Sequence, residues 1–425
     1  MYEKIRESFL DELSEYYSNG QMPSHASINM RRALTEHSDR LRKKGVKYRP
    51  RFLSTIDERP GETTFSSNSF TTCTCYKHCN SIFEYTDGHT TLKCDETTDD
   101  VVYFQVIDRK DAGSKTRSED QIIICPNCGH RAPATGFVDG CPMCSTKFEV
   151  KNVFPCVNSY YSMIWPMPKK NFAERGMKIA AQAGIGAGAT IGGLLFLFTL
   201  LGQGNIILAI LASTVLAFMA GWMTFCFVYG VTAMVASAHA AAGVVTMAIN
   251  TMDMTGAMNS KRKTEMAVHP MDRAFSFNLF EGKILSYLRT LAYSDNRENC
   301  SIYMGKGDLS FLDDLVDIRY RGATRFDKAA VVGDYLHLIM TLYLDNVYYR
   351  DGKFTSAREN FTIELVRRKD VQTDHEFSVY NINCASCGGS FDAVLSRTCP
   401  YCGSTYDLST QDWSVLAVVK QQGKQ

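Results

Sequence analysis

Cys384-Ala-Ser-Cys387-Gly388 and Cys399-Pro-Tyr-Cys402-Gly403 decide how this chain is read, because the same pair of turns occurs earlier as Cys125-Pro-Asn-Cys128-Gly129 and Cys141-Pro-Met-Cys144-Ser145. The turns are separated by 11 residues in the later pair and by 12 in the earlier one. Four thiolates presented from two tight turns satisfy a tetrahedral Zn²⁺ and leave no open coordination position. Cys125, Cys128, Cys141 and Cys144 are therefore expected to hold one structural zinc, and Cys384, Cys387, Cys399 and Cys402 a second. Closed sites of this kind fold small modules and do not catalyse. Glycine after the second cysteine supports the positive φ that turns backbone N–H groups toward sulfur. Ser145 departs from that pattern.

The two copies stay in register upstream of their cysteines. Arg109-Lys110-Asp111 ends 14 residues before Cys125, and Arg368-Lys369-Asp370 ends 14 before Cys384. Val102, Phe104 and Val106 align with Phe361, Ile363 and Leu365, each 259 residues on. Further back, Tyr85-Thr-Asp87-Gly88 answers Tyr349-Arg-Asp351-Gly352. This reads as an internal duplication. Cys73, Cys75, Cys79 and Cys94 form an irregular third group on an expected strand. They are read as small core or surface cysteines in preference to a third metal site.

Between the copies, Ile179–Met252 holds 74 residues without Asp, Glu, Lys or Arg. A spanning helix needs roughly 20 apolar residues, and 179–201 and 206–230 each suffice, joined by the uncharged turn Gly202-Gln203-Gly204-Asn205. Lys169, Lys170, Arg175 and Lys178 precede the first helix, and Lys261, Arg262 and Lys263 follow the apolar stretch. The positive-inside rule then puts both flanks in the cytoplasm, the compartment that keeps thiols reduced. Residues 231–250 are long enough for a third span but are read as a continuation of the second helix or an interfacial helix. Gly184, Gly188 and Gly192 offer a small-residue face; a homodimer seam and packing inside the hairpin both remain open. His239 is read as a packed or interfacial residue. The polar opening, Met1-Tyr-Glu-Lys-Ile-Arg-Glu-Ser, resembles neither a secretory signal nor a transit peptide.

The expected fold class is α+β: two related helix-plus-curved-sheet domains, each with an inserted zinc ribbon, flanking a transmembrane helical hairpin. The first copy takes 1–168 with its ribbon at 122–150, the membrane segment 169–266, and the second copy 267–425 with its ribbon at 382–408. In the second copy Phe277, Phe280, Ile284, Leu288 and Leu291 fall at helical spacing. Val332–Tyr348 alternates with period two, Asp351-Gly352 marks a hairpin, and 360–369 and 413–419 supply further strands. In the first copy Tyr2, Ile5, Phe9, Leu13 and Tyr16 make a helical face, and strands are expected over 69–83, 102–107 and 148–157. Arg40–Gly45 reads as a solvated face or loop.

The order hairpin, helix, curved sheet, with Phe361-Thr-Ile-Glu-Leu-Val-Arg-Arg and a late Asp412-Trp413, resembles the Tim forty-four-like domain. That domain belongs to the membrane-tethering subunit of the mitochondrial import translocase and also occurs in bacterial membrane proteins, some with a zinc ribbon. The resemblance covers about Met271–Val419. It implies a cone-shaped α+β fold with an apolar pocket for lipid or polypeptide contact, a role in protein translocation, and a multi-pass protein of the bacterial inner membrane with both soluble domains cytoplasmic. The chain lacks the basic amphipathic helix that precedes the domain in that family.

A net charge of +1 gives no global pull toward nucleic acid, and no nucleic-acid partner is expected. No P-loop, G-x-S-x-G or H-E-x-x-H occurs, so no catalytic or cofactor-binding residue is assigned. The expected function is a non-enzymatic, membrane-anchored adaptor whose zinc-ribbon domains recruit a polypeptide or lipid at the bilayer. The alternative is a membrane-tethered sensor of zinc or thiol oxidation.

Overall fold

The structure, a computed structural model, describes residues 2–55, 61–66, 70–110, 122–137, 140–148, 153–163, 172–201, 206–375, 377, 379, 382–394 and 396–421. The Gly202–Asn205 turn, Lys169, Lys170, Asp111 and the side chains of Arg175 and His239 lie outside the described residues.

The chain divides into two compact units. One is built from residues 1–164 together with 253–425, the other from 165–252. The first unit contains two antiparallel sheets with the same strand order. In the first half, β1 (Lys47–Ser54), β3 (Phe70–Thr86), β4 (Thr91–Arg109) and β7 (Cys156–Met163) lie in the order β1-β3-β4-β7, with β2 (Gly61–Ser66) also pairing β3. Two short ribbon strands, β5 (Ile122–Ile124) and β6 (Arg131–Pro133), come between β4 and β7. In the second half, β8 (Leu315–Val332), β9 (Tyr335–Arg350), β10 (Lys353–Arg368) and β13 (Ser414–Gln421) lie in the order β8-β9-β10-β13. The ribbon strands β11 (Ile382–Asn383) and β12 (Ser390–Phe391) again precede the last strand.

The correspondence extends to single residues. Phe104 faces Tyr160 across β4 and β7, and Ile363 faces Val418 across β10 and β13. Both ladders slip at the same place, between Gln105 and Val106 and between Glu364 and Leu365. A bulge inserts one unpaired residue and bends the strand; that residue is Asn158 in one sheet and Leu416 in the other. Helix α1 (Glu3–Asn19) buries Ile5, Phe9, Leu10, Leu13 and Tyr16. The later helix α5 (Phe277–Tyr293) buries Phe280, Ile284, Leu285, Leu288 and Leu291 at identical spacing. Asp351 and Gly352 both take positive φ, as the tight β9–β10 hairpin turn requires.

Among the described residues, one helix has no counterpart. Helix α2 (Ile28–Lys43) opens on Ser27, whose side chain accepts the Met30 N–H as an N-cap. Its buried face carries Arg31, Arg32, His37 and Arg40 beside Met30, Leu34 and Leu41, and it packs against α5. The first-half core cluster accordingly includes Val316 and Val347 of the second half. The halves thus form one unit, where the apolar segment between them in sequence had suggested two separate domains. In the Arg40–Gly45 run, Arg42, Lys43 and Gly45 are exposed as expected of a solvated face, and the correction concerns Arg40. Arg40 is buried and bonds the Asp313 carbonyl and the Asp295 carboxylate, while Lys43 also reaches Asp295.

The second unit contains α3 (Phe172–Leu201) and most of α4 (Ile206–Val268). Two stretches, Met177–Phe198 and Ile210–Val231, are long and apolar enough to cross a membrane. Leu194, Phe198, Phe218 and Phe227 project outward. Helix α4 runs unbroken through residues 231–250, so the second apolar helix continues without a turn. The glycine face is taken up inside the hairpin. A Cβ on Gly184 would come within 2.9 Å of the Gly221 carbonyl, one on Gly188 equally close to the Ala217 carbonyl, and one on Gly192 within 2.5 Å of Ala217 Cβ. Close backbone packing of two helices needs such residues, and α4 of the same chain, in place of a partner, fills the face.

Candidate metal centres

Each cysteine quartet is built from two copies of one backbone turn. In the first, Gly129 N–H donates to the Cys125 carbonyl and Ser145 N–H to the Cys141 carbonyl; in the second, Gly388 N–H donates to Cys384 and Gly403 N–H to Cys399. The next residue closes every turn: the N–H groups of Cys125, Cys141, Cys384 and Cys399 donate to the carbonyls of His130, Thr146, Gly389 and Ser404. Gly129, Gly388 and Gly403 have φ of 71°, 74° and 75°, and Ser145 adopts the same region at 55°. The departure seen in the sequence is thus a serine in a conformation that favours glycine.

The turns bring all eight expected ligands together as two groups, with the sulfurs of each group within 4.8 Å of one another. Cys125–Cys144 and Cys128–Cys141 stand 3.6 and 3.5 Å apart, and Cys384–Cys402 and Cys387–Cys399 stand 3.6 and 3.7 Å apart. A tetrahedron with metal–sulfur bonds of about 2.3 Å has edges of about 3.8 Å. The spacing therefore fits a four-coordinate thiolate site and is far too long for disulfide bonds.

The electrostatics ask for a cation. The Thr146 hydroxyl beside Cys144 pulls that thiol down to about 6, and the Ser404 hydroxyl does the same for Cys402. Cys387, although the Gly389 N–H favours its thiolate, is pushed up to about 12 by its cysteine neighbours. Four thiolates cannot all ionise side by side unless a positive charge sits among them. The Ser386 and Cys387 N–H groups already turn toward Cys384 and hold its thiol low, the polarity a metal-bound sulfur needs.

Cys73, Cys75 and Cys79 are buried in the first-half core and Cys94 is exposed, so that group does not converge. A cluster the sequence reading missed lies where the halves meet. Tyr17 OH is 2.6 Å from His37 Nδ1, and the His37 ring stacks on Tyr293. Tyr85 OH and Arg319 Nε both donate to Asp317 Oδ2, and Arg319 also meets Asp95. Burial pushes the His37 imidazole down. Burial opposes ionisation of Asp317, but Arg319 and His37 hold its carboxyl below the usual range. The cluster joins α1, α2 and β3 to α5 and β8, and its buried charges are paired. No sequence motif marks it, because its members are spread from residue 17 to residue 319.

An apolar pocket also lies between the halves, bounded by Phe154, Asn158, Leu279, Phe280, His375 and Trp413. At about 40 Å³ it holds a few water-sized groups and no acyl chain. Comparison with protein families, curated proteins and solved structures finds no match.

Proposed function

We propose that the chain is a non-enzymatic, membrane-anchored scaffold, stabilised by two zinc ions, that recruits a polypeptide or lipid at the bilayer face. One observation carries this reading: the segments before and after the apolar hairpin, 1–164 and 253–425, belong to one compact unit. A bilayer cannot pass through a shared core, so a hairpin that spans must do so an even number of times. Both halves then lie on one side. The basic residues flanking the hairpin make that side the cytoplasm, where reduced cysteines favour metal over disulfides.

The resident metal of each quartet is zinc in this reading, because tetrahedral thiolate sites select it and only iron–sulfur chemistry competes. The matching strand orders, bulges and helix faces support an origin by duplication. The resemblance to the Tim forty-four-like domain supports a tethering role at the inner membrane of a bacterium. Elemental analysis of reduced, purified protein tests the metal assignment: two zinc per chain is expected, and zero or one contradicts it. A second reading, a zinc- or thiol-responsive sensor, draws on the exposure of Cys128, Cys387 and Cys402. Mild chelation that removes zinc reversibly at physiological concentration would favour it; retention favours the scaffold.

A further inference from the structure

The last strands of the two sheets are finished differently. In the first half, Val157 N–H donates to the His25 carbonyl and Ser27 N–H to the Val157 carbonyl, the start of a parallel pairing. The residues that follow are covered from the second half: Arg289 lies over the Tyr160 ring at 5.4 Å, and Tyr161 packs edge-on against Tyr320 at 5.7 Å. In the second half, Val415 makes the same exchange with Ile302 and Met304. The neighbouring segment still lies against β13 at Gly305, where a Cβ would lie 2.0 Å from the Leu416 carbonyl oxygen, and the described bridge between the two ends at Tyr303 and Val415. From Ala417 onward no described strand pairs with the outer edge of β13. A groove of about 520 Å³ runs along it, bounded by Tyr303, Asp308, Phe311, Val418, Val419 and Lys420. Val419 is 56% exposed, although Tyr161, at the equivalent register, is packed.

We propose that this groove binds an extended polypeptide segment, which adds to β13 as a parallel strand and continues the one that Ile302–Met304 begins. The proposal rests on the scaffold reading and names its recruiting surface. An open strand edge presents alternating N–H and C=O groups, and another backbone matches that row in pairs. The volume falls in the range of ligand sites, unlike the small pocket between the halves. The lining does not select an anionic lipid headgroup: Lys420 is paired with Glu359 at 2.6 Å, and Asp308 adds a negative charge. Val419 and Phe311 offer apolar contact to alternate side chains of the incoming strand.

The test uses full-length protein in lipid nanodiscs and a fluorescein-labelled, end-capped hexapeptide, Thr-Val-Thr-Val-Thr-Val. With benzoylphenylalanine at position 419, irradiation should capture the peptide; with it at Val331, on the opposite edge strand, capture should be at least tenfold lower. N-methylation of one alternate set of peptide amides should abolish capture and methylation of the other set should leave it within twofold. Val419→Asp should weaken binding measured by anisotropy at least tenfold. Equal capture at both edges, identical behaviour of the two methylated peptides, absence of capture, or preferential capture of a photoactivatable phosphatidylglycerol at 419 overturns the proposal. Protein that carries two zinc ions and keeps both halves on one membrane face, yet captures no peptide, loses this site and keeps the scaffold reading. Protein that captures the peptide but lacks zinc keeps the strand site and loses that reading.

Discussion

The two ribbons share a coordination geometry and differ in what surrounds it. In the first, Cys125 and Cys141 pack with Phe137, and Ile123, Ala132 and Phe148 complete a small core that, among the described residues, draws on the ribbon alone. In the second, Ile382, Cys384, Phe391, Val394 and Cys399 belong to the same cluster as α5 and strands β8, β9 and β10. Ser301 N–H and Arg397 Nε tie that ribbon to its own half through the Ala393 and Cys300 carbonyls, and Asp392 pairs with Arg32 of α2 at 2.9 Å. Metal binding supplies folding free energy to whatever folds together with the site. The same ligands should therefore stabilise a local module in one case and the whole soluble unit in the other.

The sharpest way to break this comparison is to remove one ligand from each ribbon. Cys384→Ser should lose one zinc and unfold the soluble unit, because apparent zinc-binding free energies of about 10 kcal/mol or more match or exceed the stability of most domains. Cys125→Ser should also lose one zinc but leave the unit's melting transition nearly unchanged. Trp413, buried in the second-half core, reports that transition by fluorescence once Trp165 and Trp222 are replaced by Phe. A common loss of structure in both variants would erase the distinction.

Next in size are the paired core positions. Phe104 and Ile363 are fully buried at equivalent points of the two sheets. Phe104→Ala should cost about 3–5 kcal/mol and Ile363→Ala about 2–5 kcal/mol. Because the halves share a core, both losses should appear in one denaturant transition, and the double variant should show their sum. Two separate transitions would mean that the halves fold independently.

Asp392→Ala should cost about 1.5–3 kcal/mol by removing one of the two carboxylates on buried Arg32, the other being Glu36 at 2.7 Å, whereas charge removal at exposed Arg42 should be near neutral. The His37 cluster gives a smaller, pH-dependent effect. Burial lowers its folded pKa, so the unfolded chain binds the extra proton first. Stability should therefore be full above about pH 6.5 and fall as pH drops through that value. Urea titrations at pH 7.5 and 5.5 should show this decline, and His37→Gln should flatten it; an unchanged slope would remove His37 as its source. The smallest effect concerns Ser145, held at positive φ. Ser145→Gly should tighten the first ribbon by about 0.5–1 kcal/mol, read as slower zinc transfer to a chelator, with the second ribbon unaffected.

What the sequence shows and hides follows the same physics. The ligands, the two apolar helices, the β9–β10 hairpin and the α1 and α5 faces are legible because apolar period, cysteine spacing and turn residues agree locally. Helix α2 is hidden because its buried face carries Arg31, Arg32, His37 and Arg40, and the carboxylates of Asp392 and Asp295 that meet Arg32 and Arg40 lie more than 250 residues away. Strand β8 is hidden because its ladder slips near Asp317, Thr324 and Lys328, which breaks the alternation. The union of the halves depends on those two elements, so a local reading separates what long-range pairing joins.

That union, placed on one face of a membrane, is the central claim, and epitope insertion tests it most directly. Tags inserted at Gly20, at Gly352 and at Gln203 are probed with antibody in intact and in permeabilised cells. The account predicts that the Gln203 tag is detected in intact cells and that the Gly20 and Gly352 tags appear only after permeabilisation. Detection of the Gly20 and Gly352 tags on opposite sides of the membrane would contradict it.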